Sequence, residues 1–202
     1  MTNSSKSKYE KADYFSRLAK SAGYRSRSSL KLLEILRKDH FIKKNALVLD
    51  LGCYPGGWSQ VSREIVGNKG KIVGVDIRLM NKICGVKFLH KDIKELVEKD
   101  FQTSEGVIFP FDVVLSDIAP NISGITYRDD ALMVELLNEV KVLINYFLRH
   151  EGVALVKVFQ GKSFDDMMIF MKTRFQKVRI RKPKASRQNS KETYILGLDK
   201  KT

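Results

Sequence analysis

Two rhythms of apolar residues alternate along this chain. Short, nearly unbroken apolar runs read as strands buried on both faces. Longer segments with apolar positions three and four apart read as helices packed by one side. Strands are predicted at Ala46–Leu51, Lys71–Asp76, Val86–Leu89, Phe111–Ser116, Gly152–Phe159, Lys177–Ile180 and Tyr194–Leu198. Helices are predicted at Tyr14–Ala22 (ended by Gly23), Ser26–Leu36, Trp58–Val66, from Asp92 through Leu96, at Asp129–Leu148 and at Ser163–Arg174. In Ser26–Leu36 the apolar stripe is Leu30, Leu33 and Leu36, Lys31 and Glu34 fall off it, and Ser26 or Ser28 is the N-cap candidate. In Asp129–Leu148 the stripe is Leu132, Leu136, Leu137, Val140, Leu143 and Ile144. Alternating strands and helices mean a mostly parallel sheet covered on both faces. The last two strands have no helix between them, so one of them runs backwards.

The first strand stops at Asp50-Leu51 and breaks into Gly52-Cys53-Tyr54-Pro55-Gly56-Gly57-Trp58 before a helix begins. Strand, glycine-rich turn and helix make up the first half of a mononucleotide-binding unit, where missing Cβ atoms let backbone approach a ligand. An ordinary tight turn has the same composition. The spacing is neither the Gly-x-Gly-x-x-Gly dinucleotide fingerprint nor a phosphate loop, which ends in Gly-Lys-Ser/Thr. Ligands in such sheets bind beyond the carboxyl ends of the strands, and Asp76, Asp92 and Asp117 all fall at that rim. Asp76, 20 residues past Gly56, stands where a carboxylate can take both hydroxyls of a ribose. Each of the three is also a natural strand-end or cap residue. Lys157 interrupts the apolar run Val153–Phe159. A buried ammonium is costly unless paired, so this lysine either snorkels its stem to water or is poised to act on a proton.

The chain has 202 residues, 43% of them hydrophobic, which is enough core for one α/β domain over 13–202 after a flexible basic lead-in at 1–12. No apolar run is long enough for a membrane span, and the start lacks a secretory signal's apolar region. Cys53 and Cys84 make no metal pattern and fit a reducing compartment as small buried or half-buried thiols. The charge changes the picture: 37 basic against 23 acidic residues give +14. Lys6–Lys31 holds eight Lys/Arg against Glu10 and Asp13, and Lys172–Lys191 holds nine and no acid. Polycationic segments at both ends of the domain fit a phosphate-backbone partner, or a merely solvated surface.

Several segments together carry a resemblance: Gly23-Tyr-Arg-Ser-Arg-Ser-Ser-Leu-Lys-Leu, Asp50-Leu-Gly, Pro55-Gly-Gly-Trp-Ser-Gln, Ser116-Asp-Ile-Ala-Pro-Asn-Ile-Ser-Gly, Val156-Lys-Val-Phe-Gln-Gly, and Arg181-Lys-Pro with Ser186-Arg and Ser190-Lys-Glu-Thr-Tyr. In that order, from about Tyr14 to Leu198, the chain resembles the FtsJ/RrmJ ribose 2′-O-methyltransferases, on their ribosomal-RNA branch. The resemblance implies a Rossmann-like class I methyltransferase fold, with a seven-stranded mostly parallel sheet, a reversed last strand and helices on both faces. It implies S-adenosylmethionine as cofactor and a uridine ribose of large-subunit rRNA, free or in the assembled subunit, as acceptor. The family's catalytic Lys-Asp-Lys-Glu set falls on Lys31, Asp117, Lys157 and Glu192. Its cofactor contacts fall on Gly52, Pro55, Gly56, Gly57, Trp58, Asp76, Ile77, Asp92, Ile93 and Asp117. Candidate RNA contacts are Arg25, Arg27, Arg179, Arg181, Lys182 and Arg187, and no metal is implied. The bacterial type carries two alanines where this chain has Cys53-Tyr54.

On this reading a ribose hydroxyl must be aligned in line with a sulfonium methyl and must lose a proton as the bond forms. Lys157 is the expected base or steering group. Lys31 would lower its pKa as a like charge, Asp117 would orient its ammonium, and Glu192 would orient Lys31 or the ribose. A monomer working in the cytoplasm is expected, or in mitochondrion or nucleolus for a eukaryotic version. The rival readings are a 2′-O-methyltransferase for tRNA or an mRNA cap, a nucleotide-dependent oxidoreductase, and a non-catalytic RNA-binding assembly factor.

Overall fold

The structure is a computed structural model describing residues 14–103, 106–120, 124, 126–186 and 190–202. The expected lead-in at 1–12 and Arg187 lie outside the described residues. Helix α1 covers 14–21 and α2 Ser28–Asp39. Then come β1 (Leu47–Leu51), α3 (Gly57–Val66), β2 (Lys71–Asp76), β3 (Val86–His90), a small pair β4 (Gln102–Thr103) and β5 (Gly106–Val107), and β6 (Phe111–Ser116). Helix α4 (Thr126–Phe147), β7 (Leu148–Phe159), α5 (Lys162–Arg174), β8 (Phe175–Arg181) and β9 (Glu192–Lys200) complete the chain.

Seven strands form one sheet in the order β3-β2-β1-β6-β7-β9-β8. The reversed strand is β9, which pairs antiparallel with both β7 and β8. Strand order turns at β1, which has β2 on one side and β6 on the other, and this opens a crevice at the carboxyl ends. Strand alternation divides the apolar residues between two cores. Leu49, Leu51, Val114, Val156 and Val158 face α4 and α5, while Val48, Val113, Leu115 and Leu155 face α2 and α3.

Three local expectations are corrected. Helix α2 buries Ser29, Lys31, Leu32, Ile35 and Leu36, so its inner face is turned from the Leu30/Leu33/Leu36 stripe and includes the lysine. A lysine is tolerated there because the Glu192 carboxylate meets it. The N-cap of α2 is Arg27, with no side-chain cap: the Ser26 hydroxyl instead meets that of Ser28 at 2.6 Å, and Ser29 Oγ donates to the Ser26 carbonyl. The helix expected after Asp92 is a single 3-10 turn at Ile93–Glu95.

Candidate functional site

Two strands and a helix build the charged cluster. Lys157 on β7 stands directly opposite Tyr194 on β9. Glu192 lies two residues before Tyr194, so all three side chains project from one face of the sheet. That face is the one covered by α2, whose buried Lys31 reaches the same spot. Lys31 Nζ lies 2.7 and 2.8 Å from the two Glu192 oxygens, and Ser186 Oγ donates to Glu192 Oε1 at 2.7 Å. Lys157 Nζ lies 3.1 Å from Asp117 Oδ1 and donates to the Asp117 backbone carbonyl. The Tyr194 hydroxyl joins the two ion pairs, donating to Asp117 Oδ1 at 2.9 Å and sitting 3.4 Å from Lys31 Nζ. The structure thus brings Lys31, Asp117, Lys157 and Glu192 together, each ammonium with a carboxylate of its own.

Burial raises the Glu192 carboxyl, but Lys31, the Ser186 hydroxyl and Lys157 outweigh it and hold its pKa below the ordinary glutamate value. Burial pushes Tyr194 well above an ordinary phenol, with Asp117 and Glu192 adding to the shift, so its hydroxyl stays a proton donor. Ser186 and Tyr194 belong to the segments that carry the resemblance, but the sequence gives neither a role. A tyrosine two residues from Glu192 in a strand was the available signal for the second.

Beside this cluster lies a cavity of about 600 Å³, within the range of nucleoside-sized sites. Gly52, Asp76, Ile77, Asp92, Ile93, Asp117 and Lys157 line it, with Tyr54, Arg78, Leu132 and the Lys94–Glu135 ion pair. A Cβ on Gly52 would come within 2.4 Å of the Ile118 side chain, so the turn can approach the segment after β6 only without one. Asp76 accepts the backbone N–H of Tyr54 on Oδ2 and of Arg78 on Oδ1, both at 2.9 Å. Its carboxylate therefore holds the turn as well as presenting remaining lone pairs to the cavity. Asp92 Oδ1 accepts the Lys94 N–H and starts the 3-10 turn. Beneath the turn, burial lifts the Asp50 carboxyl to about 7 against the lowering bond from Ser59 Oγ, while Asp117 and Asp76 repel its charge. Burial also raises the Cys53 thiol, with Asp50 and Asp76 reinforcing it, so Cys53 is unreactive. Cys84 is exposed rather than buried.

Pro55, Gly56, Gly57 and Trp58 do not line the cavity. A Cβ on Gly57 would strike Ser26 Oγ and Ser29 Oγ, and one on Gly56 would strike Ile83 and Met80. Trp58 is buried, donates its indole N–H to the Ser28 carbonyl at 2.8 Å and packs on Tyr194. Gly57 and Trp58 seat α3 against the start of α2, and Gly56 leaves room for the segment before β3. Arg25, Arg179 and Arg181 bond within the chain. Arg25 spans the carbonyls of Pro55, Asn81 and Lys82, and Arg27 forms the α2 N-cap position. Arg179 and Arg181 both grip Asp39, at 2.7 and 2.6 Å. Lys182 is exposed just after β8. Among the described residues no cluster of His, Cys, Asp and Glu could hold a metal, and no helix is long and apolar enough to cross a membrane.

Residues 24–200 match the FtsJ-like methyltransferase family. Ribosomal RNA large subunit methyltransferase E of Xanthomonas campestris pv. campestris is 42% identical over 191 residues, covering 94% of this chain and 90% of that protein. A Plasmodium falciparum structure described as a ribosomal RNA methyltransferase aligns with TM-score 0.76 at 31% identity, over 88% of this chain and 98% of that one. Fibrillarin of Aeropyrum pernix, solved with bound S-adenosyl-L-methionine, shares the fold at TM-score 0.55 and 17% identity, over 87% and 75% of the two chains.

Proposed function

The chain belongs to the FtsJ-like methyltransferase family, and on that premise we propose that it methylates a ribose 2′-hydroxyl of large-subunit ribosomal RNA with S-adenosylmethionine. The observation that carries this reading is the double ion pair, Lys157–Asp117 and Lys31–Glu192, tied by Tyr194 at the wall of a nucleoside-sized cavity. The 42% identity to a large-subunit rRNA methyltransferase supports the acceptor.

The cavity fits the cofactor: its size suits an adenosyl group, Asp76 and Asp92 offer carboxylates, and Ile77 and Ile93 offer apolar contact. Bound there, S-adenosylmethionine supplies a sulfonium methyl for in-line displacement by oxygen. Asp117 and its own carbonyl fix the Lys157 amine at the cavity wall, where it steers the ribose hydroxyl and, in its uncharged form, takes the proton. Tyr194 donates to Asp117 and so keeps that carboxylate in place. Glu192 holds Lys31 as a second fixed cation behind the Tyr194 hydroxyl, where its charge favours negative charge developing on the acceptor oxygen.

Radiolabelled S-adenosylmethionine offered with ribosomal subunits, free rRNA and tRNA tests the proposal. Label mapped to one ribose of the large subunit RNA is expected. Label on tRNA alone would replace the acceptor, and tight RNA binding without any label would replace catalysis with an assembly role.

A further inference from the structure

The Tyr54 ring and the Arg78 guanidinium have no part in the chemistry just described, yet both stand on the cavity wall. The Arg78 guanidinium carbon lies 4.1 Å from the centre of the Tyr54 ring, a stacking distance for a cation on an aromatic face. Asp76 sets up the stack. Its two oxygens take the backbone N–H groups of Tyr54 and Arg78, and Oδ1 lies 3.8 Å from Arg78 Nε. One carboxylate therefore registers the glycine turn, the end of β2 and the stacked pair against each other. Tyr54 remains 39% exposed, although a ring of this size gains by being covered. Tyr54 and Asp76 line the same cavity.

We propose that Tyr54, braced by Arg78, is a positioning residue that retains the adenosyl end of the cofactor in this cavity. The ring adds apolar wall where the glycine turn supplies only backbone, and the guanidinium keeps it from swinging into solvent. The proposal rests on S-adenosylmethionine being the ligand, as argued above. Its effect belongs to cofactor occupancy, not to the methyl transfer step.

Calorimetric titration of the purified full chain with S-adenosylmethionine and S-adenosylhomocysteine provides the test, with steady-state kinetics alongside. Tyr54→Ala and Arg78→Ala should each weaken binding roughly fivefold, the size expected for losing one part-exposed cation–aromatic wall. The loss should appear in the cofactor KM rather than in kcat, and Tyr54→Phe should restore near wild-type affinity because the ring, not the hydroxyl, does the covering. Unchanged affinity in Arg78→Ala and Tyr54→Ala would overturn the proposal, as would a Phe variant as weak as the Ala variant. If Tyr54→Ala does not fold, Arg78→Ala and Tyr54→Phe still decide between these outcomes. A wild-type chain that binds neither adenosyl compound would instead remove the functional reading beneath it.

Discussion

Lys157 stands out in sequence because one polar residue interrupts an apolar run, and 7% exposure beside Asp117 shows how the fold tolerates it. Lys157→Ala is expected to abolish methyl transfer, measured by label incorporation, while calorimetry shows cofactor binding near wild type. Tyr194→Phe keeps the buried ring but removes the hydroxyl linking Asp117 to Lys31. One lost hydrogen bond to a charged group predicts a fall in kcat of roughly tenfold to a hundredfold with unchanged cofactor affinity. Asp50 makes a different prediction. Its folded pKa of about 7 lies above the unfolded value, so the stability it contributes is present at acid pH and is lost as pH rises through 7. Asp50→Asn retains an acceptor for Ser59 and removes the titration. Denaturant unfolding of variant against wild type should show the variant gaining on the order of 4 kcal/mol between pH 4 and 8. A pH-independent difference would contradict that environment for Asp50.

At the level of elements, the reversed hairpin is held by contacts that no local pattern announces. Asp39, the last residue of α2, clamps Arg179 and Arg181 of β8 across more than a hundred residues of chain. Burial raises the Asp39 carboxyl, but the two guanidinium bonds prevail and depress it below the ordinary range. The clamp is therefore present above the unfolded carboxylate pKa and fails as pH falls through the depressed value. Asp39→Ala should lower stability by roughly 2 kcal/mol, between an exposed pair and a buried one. Its melting temperature, with RNA affinity measured in parallel, separates clamp from RNA contact. Lys200, the last residue of β9, and Lys201 after it tie down helix ends through backbone carbonyls. Lys200 Nζ caps carbonyls of Ile144, Asn145 and Leu148 where α4 ends, and Lys201 Nζ caps those of Lys172 and Thr173 where α5 ends.

For the whole molecule, the +14 charge predicts RNA binding that weakens steeply with salt. The committed arginines shift which residues should matter. Lys182 and Lys184 are exposed and precede Ser186, which bonds Glu192, whereas Arg179 and Arg181 are bound to Asp39. Lys182→Ala with Lys184→Ala should weaken RNA binding about equally for all sequences and flatten the salt slope by about 1 or 2, with cofactor affinity unchanged. Filter binding from 50 to 200 mM salt reads both quantities. An unaltered slope would move the RNA path to another face.

The alternation of strands and helices, the reversed terminal pair, the glycine turn and the basic ends were all legible in the chain, because periodicity, chain direction and charge are properties of local stretches. The lysines and acids of the cluster were legible as odd residues or by resemblance. Their partnership was not. Tyr194 is an ordinary strand residue until the pairing of β7 with β9 sets it against Lys157. Gly57 and Trp58 show no partner in the local sequence, and the tertiary structure sets α2 against both. Arg179 and Arg181 look like free cations until Asp39 arrives from the far end of α2. In each case the partner lies tens to more than a hundred residues away, and strand register and helix rotation are set by the packing of the two cores rather than by any neighbouring residue.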